Sequence, residues 1–236
     1  MNLIIVSPSD YIAEKTVTFS DARFQQIKAI HGSKTGDSVR IGELNGLIGQ
    51  GLIESIDEQQ ATLQCDFREP PPDKLPLTIV LALPRPKMIR RIFRTVAELG
   101  VSELVIINSY KVEKSFWQSQ ALESKKVHSY LVDGLQQAKD TVMPKVSFYQ
   151  LFKPFVEDEL PAIANKTKKL IAHPGVTEPC PLAINAPVTL AIGPEGGFTP
   201  YEVEKFYEAG FKGIHLGPRI LKVENAITVL TAKLFN

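Results

Sequence analysis

Two patterns of apolar and polar positions divide the chain near residue 70. Before it, short runs follow the two-residue period of half-buried strands. Val39, Ile41 and Leu44 make one such run over Ser38–Leu44, and Asn45-Gly46 follows. That dipeptide tolerates positive φ at both positions and predicts a type I′ hairpin turn, with Leu47–Ile56 as the return strand. Asp57–Gln60 predicts another turn, Ala61–Phe67 a further strand, and Leu3–Val6 a strand near the N-terminus. Phe24, Ile27 and Ile30 fall at helical spacing before Gly32, which predicts one helix over Ser20–His31. Such an inventory makes a small β-barrel or sandwich.

Three prolines at 70–72 are the sharpest break in the chain. They cannot continue a β ladder and favour a stiff, extended connection. Beyond them strands and helices alternate. Leu77–Leu83, Glu103–Asn108, Lys168–Ala172 and Val188–Ile192 read as strands buried on both faces, and Lys145–Tyr149 as a weaker one. Met88, Ile89, Ile92, Phe93, Val96 and Leu99 form one stripe of a helix over Pro86–Leu99, which Gly100 stops. A long helix is expected over Gln118–Asp140, ended by Met143-Pro144, and a helix broken by Pro161 over Phe155–Ala164. Thr199-Pro200-Tyr201-Glu202 is a capping box with proline at the first helical position. Val203, Phe206, Tyr207 and Gly210 then keep the helical period. Ile214–Leu216 predicts a short strand, and Asn225–Phe235 a last helix with Ile227, Leu230, Thr231 and Leu234 inside. The alternation predicts an α/β fold with a doubly wound parallel sheet. The expected organisation is a β-rich domain over 1–69, a proline-rich linker over 70–76 and an α/β domain over 77–236.

Composition adds bounds. With 236 residues, 44% apolar and 22% charged, the chain has room for two modest domains and is not of disordered type. A formal net charge of +1 means that any nucleic-acid surface must be a local patch. Cys65 and Cys180 are far apart and match no C-x-x-C pattern, so two unpaired thiols in a reducing compartment are expected. The first residues lack the basic start of a signal peptide, and no apolar stretch approaches the ~20 residues of a membrane span. A cytoplasmic location and no membrane partner are expected. His31, His128, His173 and His215 show no metal spacing, so no metal is expected.

The candidate chemistry lies in two glycine-rich turns, Gly193-Pro-Glu-Gly-Gly197 and Leu216-Gly-Pro-Arg-Ile-Leu221, each following a predicted strand and preceding a helix. In open parallel sheets ligands bind outside the carboxyl ends of the strands, and glycine there lets a ligand approach the backbone. The spacing is neither G-x-G-x-x-G nor a P-loop, so the dinucleotide and nucleoside-triphosphate readings fail. A tight turn without ligand explains either turn alone; both together favour one small-molecule pocket.

Leu190-Ala-Ile-Gly-Pro-Glu-Gly-Gly-Phe198 followed by Leu216-Gly-Pro-Arg-Ile-Leu-Lys-Val-Glu224 resembles the signature of the RsmE family, uridine-N3 methyltransferases of small-subunit ribosomal RNA in the SPOUT superfamily. Leu81-Ala-Leu-Pro84, Ala97-Glu-Leu-Gly-Val101 and Gln136-Gln-Ala138 before Pro144 fall where the family has similar segments, and 1–69 is similar to its PUA-like RNA-binding barrel. The resemblance implies a trefoil-knotted methyltransferase domain, a homodimer, and S-adenosylmethionine as cofactor. It would be held by His173, Pro174, Gly193, Pro194, Glu195, Gly196, Gly197, Leu216, Gly217, Ile220, Leu221 and Val223. The chain departs from the family pattern at Lys222, where arginine is common, at Val223 and Asn225, where threonine is common, and at Asp140, where many members carry arginine.

Methyl transfer to uracil N3 requires loss of the N3 proton. Arg219 is the candidate to stabilise the anionic uracil oxygens. Glu195 is a candidate general base, or else holds its loop through backbone N–H groups. Arg85, Lys87, Arg90, Arg91 and Arg94 form a basic cluster without an acid among them. They are expected to contact RNA phosphates rather than serve as a merely solvated helix face. Two other readings stay open: a methyltransferase acting on another ribosomal or transfer-RNA position, and a non-catalytic RNA-binding or ribosome-assembly protein.

Overall fold

The computed structural model describes residues 3–235, with 29–31 described by their backbone alone. The expected inward position of Ile30 and the side chain of His31 therefore lie outside the described side chains. The chain forms two compact units, one of Met1–Asp73 with Val132–Met143, the other of Lys74–Leu131 with Pro144–Asn236.

The first unit carries one curled six-stranded sheet in the order β1-β4-β5-β6-β3-β2. Its strands are β1 (Ile4–Val6), β2 (Tyr11–Ala13), β3 (Thr16–Phe19), β4 (Ser38–Glu43), β5 (Ile48–Ile56) and β6 (Ala61–Glu69). Only β1 and β4 run parallel; the other neighbours are antiparallel. Phe24 and Ile27 of α1 (Ala22–His31) join Val17, Phe19, Ile41, Ile53 and Leu63 in its core. Arg23 pins the helix start: its guanidinium donates to both Asp10 oxygens at 2.6 and 2.7 Å and to the Ile5 carbonyl, and lies 4.4 Å from the Phe19 ring centre. Such a planar fork matches a carboxylate in two bonds.

The β4–β5 turn is not type I′. Asn45 has φ 61, but Gly46 is outside the left-handed region. The reason is tertiary. Asn45 donates its N–H to the Thr141 carbonyl, its Oδ1 accepts the Met143 N–H, and Thr141 Oγ1 donates to the Gly46 carbonyl. The hairpin is shaped around 140–143. Asp140 there is buried, and its Oδ1 accepts the Val142 N–H.

The second unit is a sheet of six parallel strands in the order β12-β10-β11-β7-β8-β9. The strands are β7 (Leu75–Ala82), β8 (Val101–Ile107), β9 (Lys145–Tyr149), β10 (Lys168–Ala172), β11 (Val188–Ile192) and β12 (Lys212–Ile214). The expected α/β fold with a parallel sheet is borne out. The interior strands β7, β8 and β11 carry the most continuous burial, as their apolar runs predict. Its helices are α2 (Pro86–Glu98), α4 (Phe152–Pro154), α5 (Leu160–Ile163), α6 (Pro200–Glu208), α7 (Val223–Phe235) and the first part of α3 (Ser124–Ala138), whose residues from Val132 on belong to the first unit.

Several boundaries differ from expectation, each for a local reason. The long helix expected over Gln118–Asp140 begins only at Ser124. Two 3-10 turns, Lys114–Gln118 and Gln120–Leu122, precede it, and Ser119 Oγ caps the second by accepting the Ala121 N–H. Pro161 does not break its helix. The preceding turn, Phe155–Glu159, widens to π pitch, and Pro161 falls in the first turn of α5, where its missing N–H costs nothing. The last strand ends at Ile214, and His215 makes only an isolated bridge to Pro179. The last helix starts two residues early, at Val223.

Both cysteines are buried and free, and burial pushes the Cys65 thiol up to about 11. No described helix is long and apolar enough to cross a membrane, and no metal-binding cluster exists among the described residues.

Candidate functional site

Because all six strands are parallel, the loops leaving β10, β11 and β12 emerge on one edge of the sheet. They converge on a pocket of about 470 Å³. His173 and Pro174 enter it from the β10 loop, Gly193, Pro194, Glu195, Gly196 and Gly197 from the β11 loop, and Leu216, Gly217, Ile220, Leu221 and Val223 from the β12 loop. Ile192, Phe198, Ile214 and Leu230 add apolar wall. All twelve residues expected around a cofactor thus line one cavity, and Arg219 lines it with them.

The turns hold their shape by backbone economy. Gly197 donates its N–H to the Pro194 carbonyl at 2.7 Å and sits at φ 69, where L side chains are strained. Gly217 sits at φ 100, and its N–H donates to His215 Nδ1 at 2.9 Å. His215 Nε2 lies 3.1 Å from the Thr177 carbonyl. The two contacts assign the tautomer: a carbonyl only accepts, so Nε2 carries the proton and Nδ1 accepts. His173 Nδ1 likewise accepts the Gly175 N–H, at 3.0 Å. These histidines shape loops, which the sequence alone did not reveal.

Two other contacts reach the β11 turn from distant sequence. Lys111 Nζ donates to the Gly196 carbonyl at 2.6 Å. Glu195 Oε1 accepts the Arg85 N–H at 3.2 Å, at the N-cap of α2. Just beyond the turn the capping box forms as predicted. Glu202 Oε2 accepts from the Thr199 N–H and Oγ1, and its Oε1 accepts the Tyr110 N–H at 2.7 Å. Glu202 is 2% exposed, so all this bonding is in a protected site. No sequence pattern pointed to the Lys111 and Tyr110 contacts, which depend on how β8 and β11 are ordered in the sheet.

Arg219 is exposed and forms no hydrogen bond or ion pair among the described residues. On α2, Arg85, Lys87, Arg90 and Arg91 are also exposed and without ion pairs among the described residues. Arg94 differs: it is half-buried, with its guanidinium 4.8 Å from the Tyr130 ring centre. The expected five-residue basic patch therefore presents four solvent-facing cations.

A parallel sheet with a glycine-lined pocket at its carboxyl edge is the frame of a nucleotide- or nucleoside-binding α/β enzyme. The chain belongs to the RNA methyltransferase domain family, whose model matches residues 71–234. It is 29% identical over 232 residues to a Treponema pallidum protein named ribosomal RNA small subunit methyltransferase E, covering 96% of this chain and 87% of that one. It is 24% identical over 237 residues to a Synechocystis protein of the same name, covering 98% and 76%. A Neisseria gonorrhoeae ribosomal RNA small subunit methyltransferase E, solved bound to S-adenosyl methionine, has the same fold, with a TM-score of 0.74 over 98% of this chain and 96% of that one at 18% identity. The expected RsmE-family resemblance is borne out.

Proposed function

We propose that the chain transfers a methyl group from S-adenosylmethionine to N3 of a uridine in small-subunit ribosomal RNA. One observation carries the reading: three loops that share no sequence neighbourhood close on one pocket, in a chain of the RNA methyltransferase domain family. The pocket suits an adenosyl ligand, with apolar wall from Ile192, Leu216, Leu221 and Leu230 and turns that offer backbone N–H and C=O groups. A Cβ built on Gly197 or Gly217 would meet no atom within 4 Å, so both backbones border open space that a ligand can approach. The twelve residues from His173 to Val223 named above would hold the cofactor. When bound, it supplies an electrophilic methyl group.

The chain's own residues do the rest. Uracil N3 gives up its proton to solvent and reacts as the anion, and Arg219, exposed and without a partner among the described residues, lends a cation to the oxygens where that charge spreads. Glu195 acts chiefly by position: its carboxylate receives the Arg85 N–H at the start of α2, where the helix dipole favours an anion. The four exposed cations of α2 would contact RNA phosphates. The same reading takes 1–69 as a PUA-like RNA-binding barrel, 70–76 as a linker and 77–236 as a trefoil-knotted SPOUT domain. It takes the working form as a cytoplasmic homodimer.

The test is methylation of small ribosomal subunits from cells lacking this modification, with the product nucleoside placed by mass spectrometry. N3-methyluridine is expected. A different methylated nucleoside, or transfer RNA as the preferred substrate, replaces the target; absence of cofactor binding in calorimetry replaces the enzyme with an RNA-binding protein.

A further inference from the structure

A second pocket, of about 480 Å³, takes up the residues that directly follow the β11 turn of the first. Phe198 lines the first; Thr199, Tyr201 and Glu202 line the second, with Asn108, Ser109 and Tyr110 from the loop after β8 and Phe152 and Lys153 of α4. Nothing proposed above uses this cavity. Its frame is fixed, because Glu202 is locked by Thr199 and holds the Tyr110 backbone.

Its surface chemistry is specific. Tyr110 is 85% exposed and Tyr201 50% exposed, so two ring surfaces face solvent beside the cavity. Trp117 Nε1 donates to Asn108 Oδ1 at 3.0 Å. An indole N–H is only a donor, so the Asn108 carbonyl must point to Trp117, and its two amide N–H donors are left for another acceptor. Ser109 is 2% exposed, and its hydroxyl has no hydrogen-bond partner among the described residues. At the rim the Lys153 ammonium lies 3.9 Å from the Glu157 carboxylate, so its charge is partnered.

We infer that this pocket takes a nucleobase of the RNA substrate other than the one methylated, stacked on Tyr110 and Tyr201 with an acceptor edge toward the Asn108 amide. Exposed aromatic rings are the platform on which unpaired bases stack. An amide N–H donor suits the carbonyl oxygen on the edge of a base such as uracil or guanine. Shared construction from residues 193–202 places this base and the methyl-acceptor uridine on one continuous segment of the protein. The inference rests on the proposed function, since it presupposes an RNA substrate.

The experiment measures methylation of undermethylated small subunits by the full chain, with KM and kcat separated, and S-adenosylmethionine affinity by calorimetry. The double variant Tyr110→Ala/Tyr201→Ala is expected to raise KM about tenfold, the size of a lost base–aromatic stack, with kcat and cofactor affinity unchanged. Asn108→Asp keeps an acceptor for Trp117 but replaces the donors with a carboxylate, and is expected to raise KM in the same direction; it decides the matter should the double variant fail to fold. Unchanged KM in Asn108→Asp and in a folded double variant overturns the inference while leaving the proposed function standing. A double variant whose sedimentation shows a lost oligomer also overturns it, because the surface is then an interface between copies. A wild-type chain that binds cofactor but methylates no RNA overturns both.

Discussion

Arg219 and Glu195 sit on neighbouring turns of one pocket, yet their surroundings give them different work. Arg219 has no partner to satisfy among the described residues, so its charge is available to a ligand. Arg219→Ala is expected to lower kcat by about 10²–10³-fold, the usual cost of one lost charge-stabilising group, with cofactor affinity unchanged in calorimetry. A parallel fall in affinity would place Arg219 on the cofactor instead. Glu195→Gln keeps an oxygen for the Arg85 N–H and is expected to keep methyl transfer within roughly tenfold in single-turnover assays, whereas loss of a general base costs about 10²–10⁴-fold. Gly197 tests the turn itself. At φ 69 a valine meets strain rather than a clash, since its Cβ would face open space. Gly197→Val is expected to abolish measurable cofactor binding and methyl transfer while circular dichroism shows an intact fold.

At the scale of elements, α6 links the first pocket to the core. Phe206 is fully buried, with ring centres of Phe198 and Phe211 each 5.1 Å away and that of Phe152 5.8 Å away. Phe206→Ala is expected to cost about 3–5 kcal/mol in denaturant unfolding. Because Phe198 lines the pocket, cofactor affinity should fall as well, whereas an equally buried change in the first unit, such as Phe19→Ala, should leave it alone. This helix was legible in the sequence because its signals are local: a capping box, a proline and a 3.6-residue period within ten residues. The Asn45-Gly46 turn was misread because its geometry is decided by bonds to Thr141 and Met143, almost a hundred residues on. The start of α3 was misread because 3-10 turns and an α-helix share nearly the same spacing.

For the whole molecule, charge gives the sharpest prediction. A net charge of +1 provides no general attraction to RNA, so electrostatic binding needs a local cluster, and the proposed one is Arg85, Lys87, Arg90 and Arg91, at the start of α2 and without ion pairs among the described residues. Replacing Arg85, Lys87, Arg90 and Arg91 by Gln is expected to flatten the slope of log affinity against log salt by about 3, at roughly 0.7 per phosphate contact on single strands. Binding titrations at several salt concentrations check this. An unchanged slope would move the RNA phosphates elsewhere on the surface.

By itself the sequence determined most strands and helices, the parallel α/β class and the residues of both glycine turns, because apolar period, caps and turn chemistry act over a few residues; it missed the short strands β2 and β3. The paired turns and the family resemblance already put His173, Gly193 and Leu216 around one ligand, but how they meet was decided by the strand order in the sheet, which is set by contacts between segments remote in the chain. Tertiary structure alone decided which ring nitrogen of His215 accepts, which carbonyl Lys111 reaches, and that Arg94 lies against Tyr130 while Arg85, Lys87, Arg90 and Arg91 have no ion pair among the described residues. The physical reason is the same throughout: a hydrogen bond or a ring contact is fixed by distance in space, and periodicity along a chain carries no record of that distance.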